Sequence, residues 1–524
     1  MTIAVVPIFM SAGAAVLPTV VVAITSVVAI IFKPRELLRL FRERPLAVGG
    51  ALAAVVVLVG VVTWWVASPS SAARGATVRD EVRAAPHADW AAVADRIFAR
   101  QIAGKAPTAI GTVAAGDAPL VLGHDYSRCS FAGGALPEKL HELWNYHPED
   151  GLFLSTPVVA GNRIFVAGCQ SDLGGYTGIL ACLDAQTGNK LWEHDKIGDE
   201  TLKAFFSSPA LTADGKNLIV GQGLHQDKDC SLLCFEADTG KLSWAAKTPL
   251  HIESSPAIVG DMAIVGAGAI EGPDGKATGN PGYVFAVRIS DGKELWKQPV
   301  NDPESAPAVD ENGIVYIGSG FNGCAVVAMR SDTDEDLKAK KLERIVWQRP
   351  VDFPVTCPIT LTGDMVIAGS GNGDVAHSNA NAQGLVVALD RKTGAELWHA
   401  KFDDSVLGPI AARDGLAICP VRTGKVVALS LKDGSVVWTV QISGKSPVLA
   451  GCAFTGTRVV AVSSDGYMAV IDPKEGRKIG ENLYLNAQAK AGSGLTVSGP
   501  QISGGCVIVG SETGGLHCLA GSGQ

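Results

Sequence analysis

The sequence predicts an all-β protein: an eight-bladed β-propeller of four-stranded blades, preceded by two N-terminal transmembrane α-helices. Three observations carry this prediction. A tryptophan closes a short strand at near-regular intervals, a proline opens a unit at matching intervals, and two long uncharged stretches lie within the first 67 residues.

Taken in chain order, residues 3–32 carry no charge over thirty positions, and residues 46–67 none over twenty-two. A helix needs about 20 apolar residues to cross the hydrocarbon core, so each stretch is long enough to span. Pro7 and Pro18 interrupt the first, which confines its span to about residues 12–32. The connecting segment KPRELLRLFRERP is short and basic, and such loops remain in the cytoplasm. The expected arrangement is therefore a multi-pass protein of the cytoplasmic (inner) membrane. Its lipid contact runs through the two helices, and everything after Ala67 lies on the extracytoplasmic, periplasmic side. Residues 1–67 form the anchor, and residues 68–120 read as a linker. Within the linker, HADWAAVADRIFARQ places Trp90, Val93, Ala94, Ile97 and Phe98 at helical spacing. Residues 121–524 form the propeller.

The tryptophan landmark falls at Trp144, Trp192, Trp244, Trp296, Trp347, Trp398 and Trp438, and Ile479 takes its place in the last copy. The intervals are 48, 52, 52, 51, 51, 40 and 41 residues. The proline landmark falls at Pro157, Pro209, Pro256, Pro307, Pro358, Pro409, Pro447 and Pro500, and gives the same count of eight. Each unit contains period-two apolar runs separated by Gly, Asp and Asn turns, the pattern of successive hairpins. Four-stranded units repeating at 40–50 residues form a propeller. The chain ends after a third strand (LHCLA), while ELWNY around Trp144 is a fourth strand with nothing before it. Pairing of these two segments closes the ring and removes its exposed edges. The tryptophans have a structural role, packing between sheets.

Charge excludes one class of partner. The formal net charge is −8; residues 1–67 carry +3, which leaves −11 on the remainder and no basic footprint for nucleic acid. The eleven cysteines form no CxxC or CxxCH motif, and most sit in apolar runs as small hydrophobes. Cys506 and Cys518 flank one hairpin and can cross-link in an oxidising compartment. No GxSxG, HExxH or phosphate-binding loop is present. His225, His377, His399 and His517 stand isolated in the sequence.

The connections between strands two and three share a face with the blade-to-blade crossings. They are long in blades one (CQSDLGGYTG), two (QGLHQDKDC), three (GAIEGPDGKATGNPG) and five (SGNGDVAHSNANAQ), and minimal elsewhere. This predicts one elaborated binding face, with Gln170, Asp172, Tyr176, His225, Asp227, Glu271, Asp274, Asn280, Asp374 and His377 as its candidate residues and a protein as the expected partner. The charged insertion 330–344 of blade four belongs to the opposite face.

Segments ALDRKTGAELW (388–398), CLDAQTGNKLW (182–192) and CFEADTGKLSW (234–244) resemble the AxDxxTGxxxW repeat of the pyrroloquinoline-quinone-like propellers. The resemblance extends over about residues 120–521. That family contains quinone-dependent alcohol dehydrogenases as well as non-enzymatic scaffolds similar to the outer-membrane-protein assembly factor B. In the dehydrogenases the loop face holds the quinone and a Ca²⁺ bound by a Glu and an Asn. Asn372, in a GxGN-like stretch, matches the Asn, and Asp172 lies one position from the place of the Glu. These two are the metal and cofactor candidates that the resemblance implies. The family's adjacent-cysteine disulfide and HDxWD-like base motif are missing, so no catalytic residue is assigned and no cofactor is expected. The chain resembles the scaffolds more than the dehydrogenases. The reading favoured is a non-catalytic protein-interaction scaffold in envelope protein assembly. Its alternatives are a membrane-bound dehydrogenase using pyrroloquinoline quinone and Ca²⁺, and a small-ligand or carbohydrate-binding module.

Overall fold

The computed structural model describes Arg128, Ser130, Leu136 and residues 139–521, apart from 149–150, 173–174, 271–278, 322, 376, 445 and 487–495. All of these belong to the compact unit Pro107–Gln524. The two uncharged N-terminal stretches and the linker helix lie outside the described residues. Among the described residues no helix is long and apolar enough to cross a membrane.

Eight antiparallel sheets follow one another around a ring, each ordered from a short inner strand to an outer fourth strand. Blade two is representative, with strands Ala210–Leu211, Asn217–Gly221, Cys230–Glu236 and Leu242–Thr248. The middle strands alternate in direction and are buried on both faces, because each sheet is sandwiched between its neighbours. The ring closes as the repeat pattern requires. Leu140–Tyr146 pairs antiparallel with Gly515–Gly521 as the outer strand of blade eight, with Trp144 opposite Cys518. Behind this pairing Glu142 Oε2 lies 2.6 Å from His517 Nδ1, so a side-chain contact joins the N- and C-terminal strands. Cys506 and Cys518 lie side by side across two strands of the same blade as thiols.

Each tryptophan reaches into the next blade. Trp244 Nε1 donates to Ile289 O at 2.7 Å, Trp398 to Leu431 O at 2.9 Å, and Trp438 to Pro473 O at 2.7 Å. Trp144 likewise donates to Ala185 O across the ring closure, Trp192 to Ala237 O, and Trp347 to Arg391 O, each at 3.1 Å. Below each ring lies the turn glycine of that next blade. Gly292 has φ +70°, and a Cβ added to it would stand 2.6 Å from the Trp244 ring. Glycine therefore meets two demands here, a left-handed turn and close approach of an indole. Blade four has no such turn. Its 330–344 insertion folds as a helix, Asp334–Lys340, capped by Thr333. The Arg344 guanidinium then stacks 4.2 Å over Trp296 in place of the glycine, while Trp296 Nε1 donates to Ser331 O at 3.0 Å.

Around the axis, residues just before the prolines of blades one to five and blade eight link one blade to the next. Thr156 N donates to Ser208 Oγ (3.0 Å), Ser207 Oγ to Ser254 O (3.0 Å), Ser254 Oγ to Ser305 O and Ser305 Oγ to Cys357 O (2.9 Å each). Gly499 N donates to Thr156 Oγ1 at 2.9 Å and carries the belt across the closure. Arg128 precedes the first strand and is fully buried on the same axis. Its guanidinium donates to Pro307 O (2.5 Å) and to Ser255 O and Pro256 O (3.0 Å each). One side chain thereby satisfies carbonyls of two inner strands.

Candidate functional site

The residues before the prolines surround the mouth of a central cavity of about 350 Å³. Leu154, Phe206 and Val497, each three residues before a proline, line it together with Leu407 and Leu449, so the rim is largely apolar. Blades three and four break this pattern with Glu253 and Glu304. Both side chains are less than a tenth exposed. Burying a carboxylate in apolar surroundings is costly unless it is paired, so their partners matter.

The partners are two histidines. His225, from the connection between strands two and three of blade two, lies with Nδ1 2.9 Å from Glu304 Oε1 and 3.6 Å from Glu253 Oε1. Its backbone N–H also donates to Glu253 Oε1 at 2.9 Å. His251, fully buried in the crossing into blade three, lies with Nε2 3.0 Å from Glu304 Oε1. The two imidazoles meet edge to face, with centroids 5.6 Å apart. A third acid, Asp302, stands beside them and accepts from Ala269 N at 2.9 Å and Phe321 N at 3.0 Å.

The electrostatics follow from burial and crowding. Burial, then the neighbouring Glu304 charge, pushes Asp302 up to about 7. Burial likewise holds Glu253 above the ordinary carboxylate range. Burial acts on Glu304 in the same direction, but the charge and hydrogen bonds of the two histidines outweigh it and bring Glu304 to about 2. For His251, burial favours the neutral ring. The hydrogen bond to Glu304 and the two glutamate charges reverse this and raise its affinity for a proton.

Of the residues expected on the loop face, the structure brings His225 and Asp374 to the cavity wall. The blade-one connection is a regular hairpin extension, Arg163–Asp172 paired with Gly175–Asp184, and not an irregular loop; unbroken period-two pairing runs to Asp172↔Gly175. Gln170 pairs with Thr177 in this hairpin, and Tyr176 stands 59% exposed near its tip. Asp227 Oδ2 closes its own turn by accepting from Leu224 N at 2.9 Å. Asn280 Oδ1 accepts from Gly282 N, and His377 N donates to Asp374 Oδ1. Glu271 and Asp274 lie outside the described residues.

Asp172 and Asn372 belong to blades one and five, opposite one another in the ring. Asn372 spends its amide on its own loop, donating to Asn381 O at 2.8 Å and accepting from Gln383 N at 2.9 Å. Among the described residues, no tryptophan lines the cavity to stack under a flat quinone. These residues do not fit a quinone and calcium constellation.

The cluster of His251, Glu253, Asp302 and Glu304 escaped the motif search because its members are separated in sequence. The signal was nevertheless present. Glu253 and Glu304 each sit three residues before a unit-opening proline, one repeat apart, and equal repeat positions on adjacent blades are neighbours in space.

Residues 141–248, 224–381 and 377–523 match the family model described as outer membrane protein assembly factor BamB. The BamB of Burkholderia pseudomallei is 24% identical over 60% of this chain and 83% of its own length. The quinohemoprotein alcohol dehydrogenase of Comamonas testosteroni is 27% identical over 52% of this chain, but over only 36% of its own length. Among solved structures, BamB from Moraxella catarrhalis superposes with a TM-score of 0.55 at 15% identity, covering 74% of this chain and 99% of that one. The expectation of a multi-pass protein of the cytoplasmic membrane is corrected. The BamB relatives are named for the outer membrane, and no helix among the described residues is long and apolar enough to span a bilayer. Uncharged length reports affinity for hydrocarbon; it does not specify which membrane or how many crossings.

Proposed function

Because the chain belongs to the family described as outer membrane protein assembly factor BamB, we propose that it is a non-catalytic propeller scaffold in outer membrane protein assembly, which binds a protein partner through the face bearing the long connections of blades one to five. The observation that carries this reading is the hairpin 163–184, which holds Tyr176 59% exposed near its tip. An exposed aromatic on a rigid projecting strand pair is the anchor type that dominates protein interfaces. The opposite face carries the capped helix Asp334–Lys340 and supplies an internal control. A photo-crosslinking residue in place of Tyr176 is expected to capture a component of the assembly machinery, whereas one in place of Glu335 is not. Equal labelling from both faces overturns the reading.

The similarity to quinohemoprotein alcohol dehydrogenases makes the dehydrogenase alternative directly testable. Reconstitution with pyrroloquinoline quinone and Ca²⁺ is expected to give neither quinone absorbance on the protein nor dye reduction with alcohols. Stoichiometric quinone binding would replace the scaffold reading with the catalytic one. The uncharged stretches 3–32 and 46–67 support a lipid contact by that part of the chain, tested by vesicle flotation with and without residues 1–67.

A further inference from the structure

We propose that His225, His251 and Glu253 form a binding site for a divalent transition-metal ion of the zinc class, with Glu304 as the carboxylate that orients the His251 imidazole. Each of the three ligands offers one atom, and these atoms lie within 4.8 Å of one another. A tetrahedral ion with bonds of about 2.1 Å has ligand–ligand edges of about 3.4 Å. His225 Nδ1 and Glu253 Oε1, 3.6 Å apart, already stand near that edge length, and the three ligand atoms, all within 4.8 Å of one another, need only draw together to close around an ion.

Three further observations point the same way. The carboxylates of Glu253 and Glu304 are buried, and their partners among the described residues are the two imidazoles and one backbone N–H. No Lys or Arg among the described residues bridges to either, so the carboxylates have the two imidazoles and no permanent cation beside them. His251 keeps one buried ring nitrogen, Nδ1, without a hydrogen-bond partner while its Nε2 is held by Glu304. That division of labour, one ring nitrogen on a carboxylate and the other available, is the usual state of an imidazole metal ligand. Finally, the cluster opens on the cavity through His225, whose side chain is 38% exposed, and this supplies an entry path.

The donor set selects the ion. Two imidazoles and a carboxylate suit Zn²⁺, whereas Ca²⁺ takes oxygen ligands throughout and gains nothing from nitrogen. The site is therefore distinct in chemistry from a quinone-associated calcium. Its ligands come from the blade-two connection and the crossing into blade three, and its orienting carboxylate from the crossing into blade four. A bound ion would clasp three blades at the cavity rim.

The test is calorimetric titration of the chelator-treated full chain with Zn²⁺ and, separately, Ca²⁺. The expected result is one equivalent of Zn²⁺ bound, no Ca²⁺ bound, and a Zn²⁺-dependent rise in melting temperature. His225→Ala and Glu253→Gln should each weaken Zn²⁺ binding about tenfold or more. Their melting temperature without metal should stay close to that of the parent, and Zn²⁺ should no longer raise it. Co²⁺ substitution adds a spectroscopic readout of tetrahedral nitrogen and oxygen ligation in the parent only. Absence of Zn²⁺ binding at micromolar concentration, or stoichiometric binding unchanged in both variants, overturns the proposal. Neither outcome bears on the partner-binding face, which the crosslinking experiment reads independently.

Discussion

Gly292 and Gly260 separate two reasons for having glycine at a turn. Both have positive φ, but a Cβ at Gly260 meets nothing within 4 Å, whereas at Gly292 it would strike the Trp244 ring. Left-handed backbone costs an L-residue about 1–2 kcal/mol, and overpacking adds about 1–3 kcal/mol more. Gly260→Ala should therefore lower stability by about 1–2 kcal/mol and Gly292→Ala by about 2–5 kcal/mol, read as the shift in urea midpoint. Equal shifts would mean that the indole does not depend on the missing side chain. The turn glycines and the tryptophans are both visible in the sequence. That one repeat's tryptophan sits on the next repeat's glycine is a property of the ring, and it becomes legible only once the ring is assumed. The acids follow the same logic. Glu253 and Glu304 look unremarkable singly, and become a pair only when placed on adjacent blades.

Among elements, the closing blade and the axial belt hold the ring together. Glu142 and His517 join the terminal strands. The hydrogen bond from His517 holds the Glu142 carboxyl below the ordinary carboxylate range, against the opposing effect of burial. A carboxylate with a depressed folded-state pKa stabilises fully above its unfolded pKa and loses that contribution as pH falls through the folded value. Acidification below the ordinary carboxylate range should thus loosen the closure, as measured by hydrogen exchange of Leu140–Tyr146. Glu142→Gln should remove that pH dependence, and a variant with the same acid profile as the parent would contradict the assignment. At the axis, Arg128→Ala leaves the carbonyls of Ser255, Pro256 and Pro307 without their donor. Buried orphaned acceptors cost about 1–3 kcal/mol each, so apparent stability should fall by at least about 2 kcal/mol in chemical denaturation. The terminal closure was legible from an unpaired first strand and a missing last one. Arg128 was not, since nothing in DYSRCS marks an arginine that runs down a channel. The inner belt was half legible: the prolines announce the units, while the serines before them carry the bonds.

For the whole molecule, the ring of eight blades was readable because two independent landmarks repeat at the same period. The location of the chain was not, because apolar length alone carries no address. The blade-one connection was expected as a loop and is a hairpin, since its alternating pairing continues beyond the point where Gly and Asp suggested a turn. That difference strengthens the functional account, as a hairpin presents Tyr176 on rigid backbone where a loop would pay ordering entropy on binding. Recruitment of a protein partner by this face is open to experiment. It is tested most directly by affinity capture from solubilised membranes, comparing the intact chain with one whose residues 170–177 are replaced by a two-residue turn. An outer membrane assembly component should be recovered with the intact chain and lost, by about tenfold or more, with the shortened hairpin. Equal recovery of that component by both chains would contradict it.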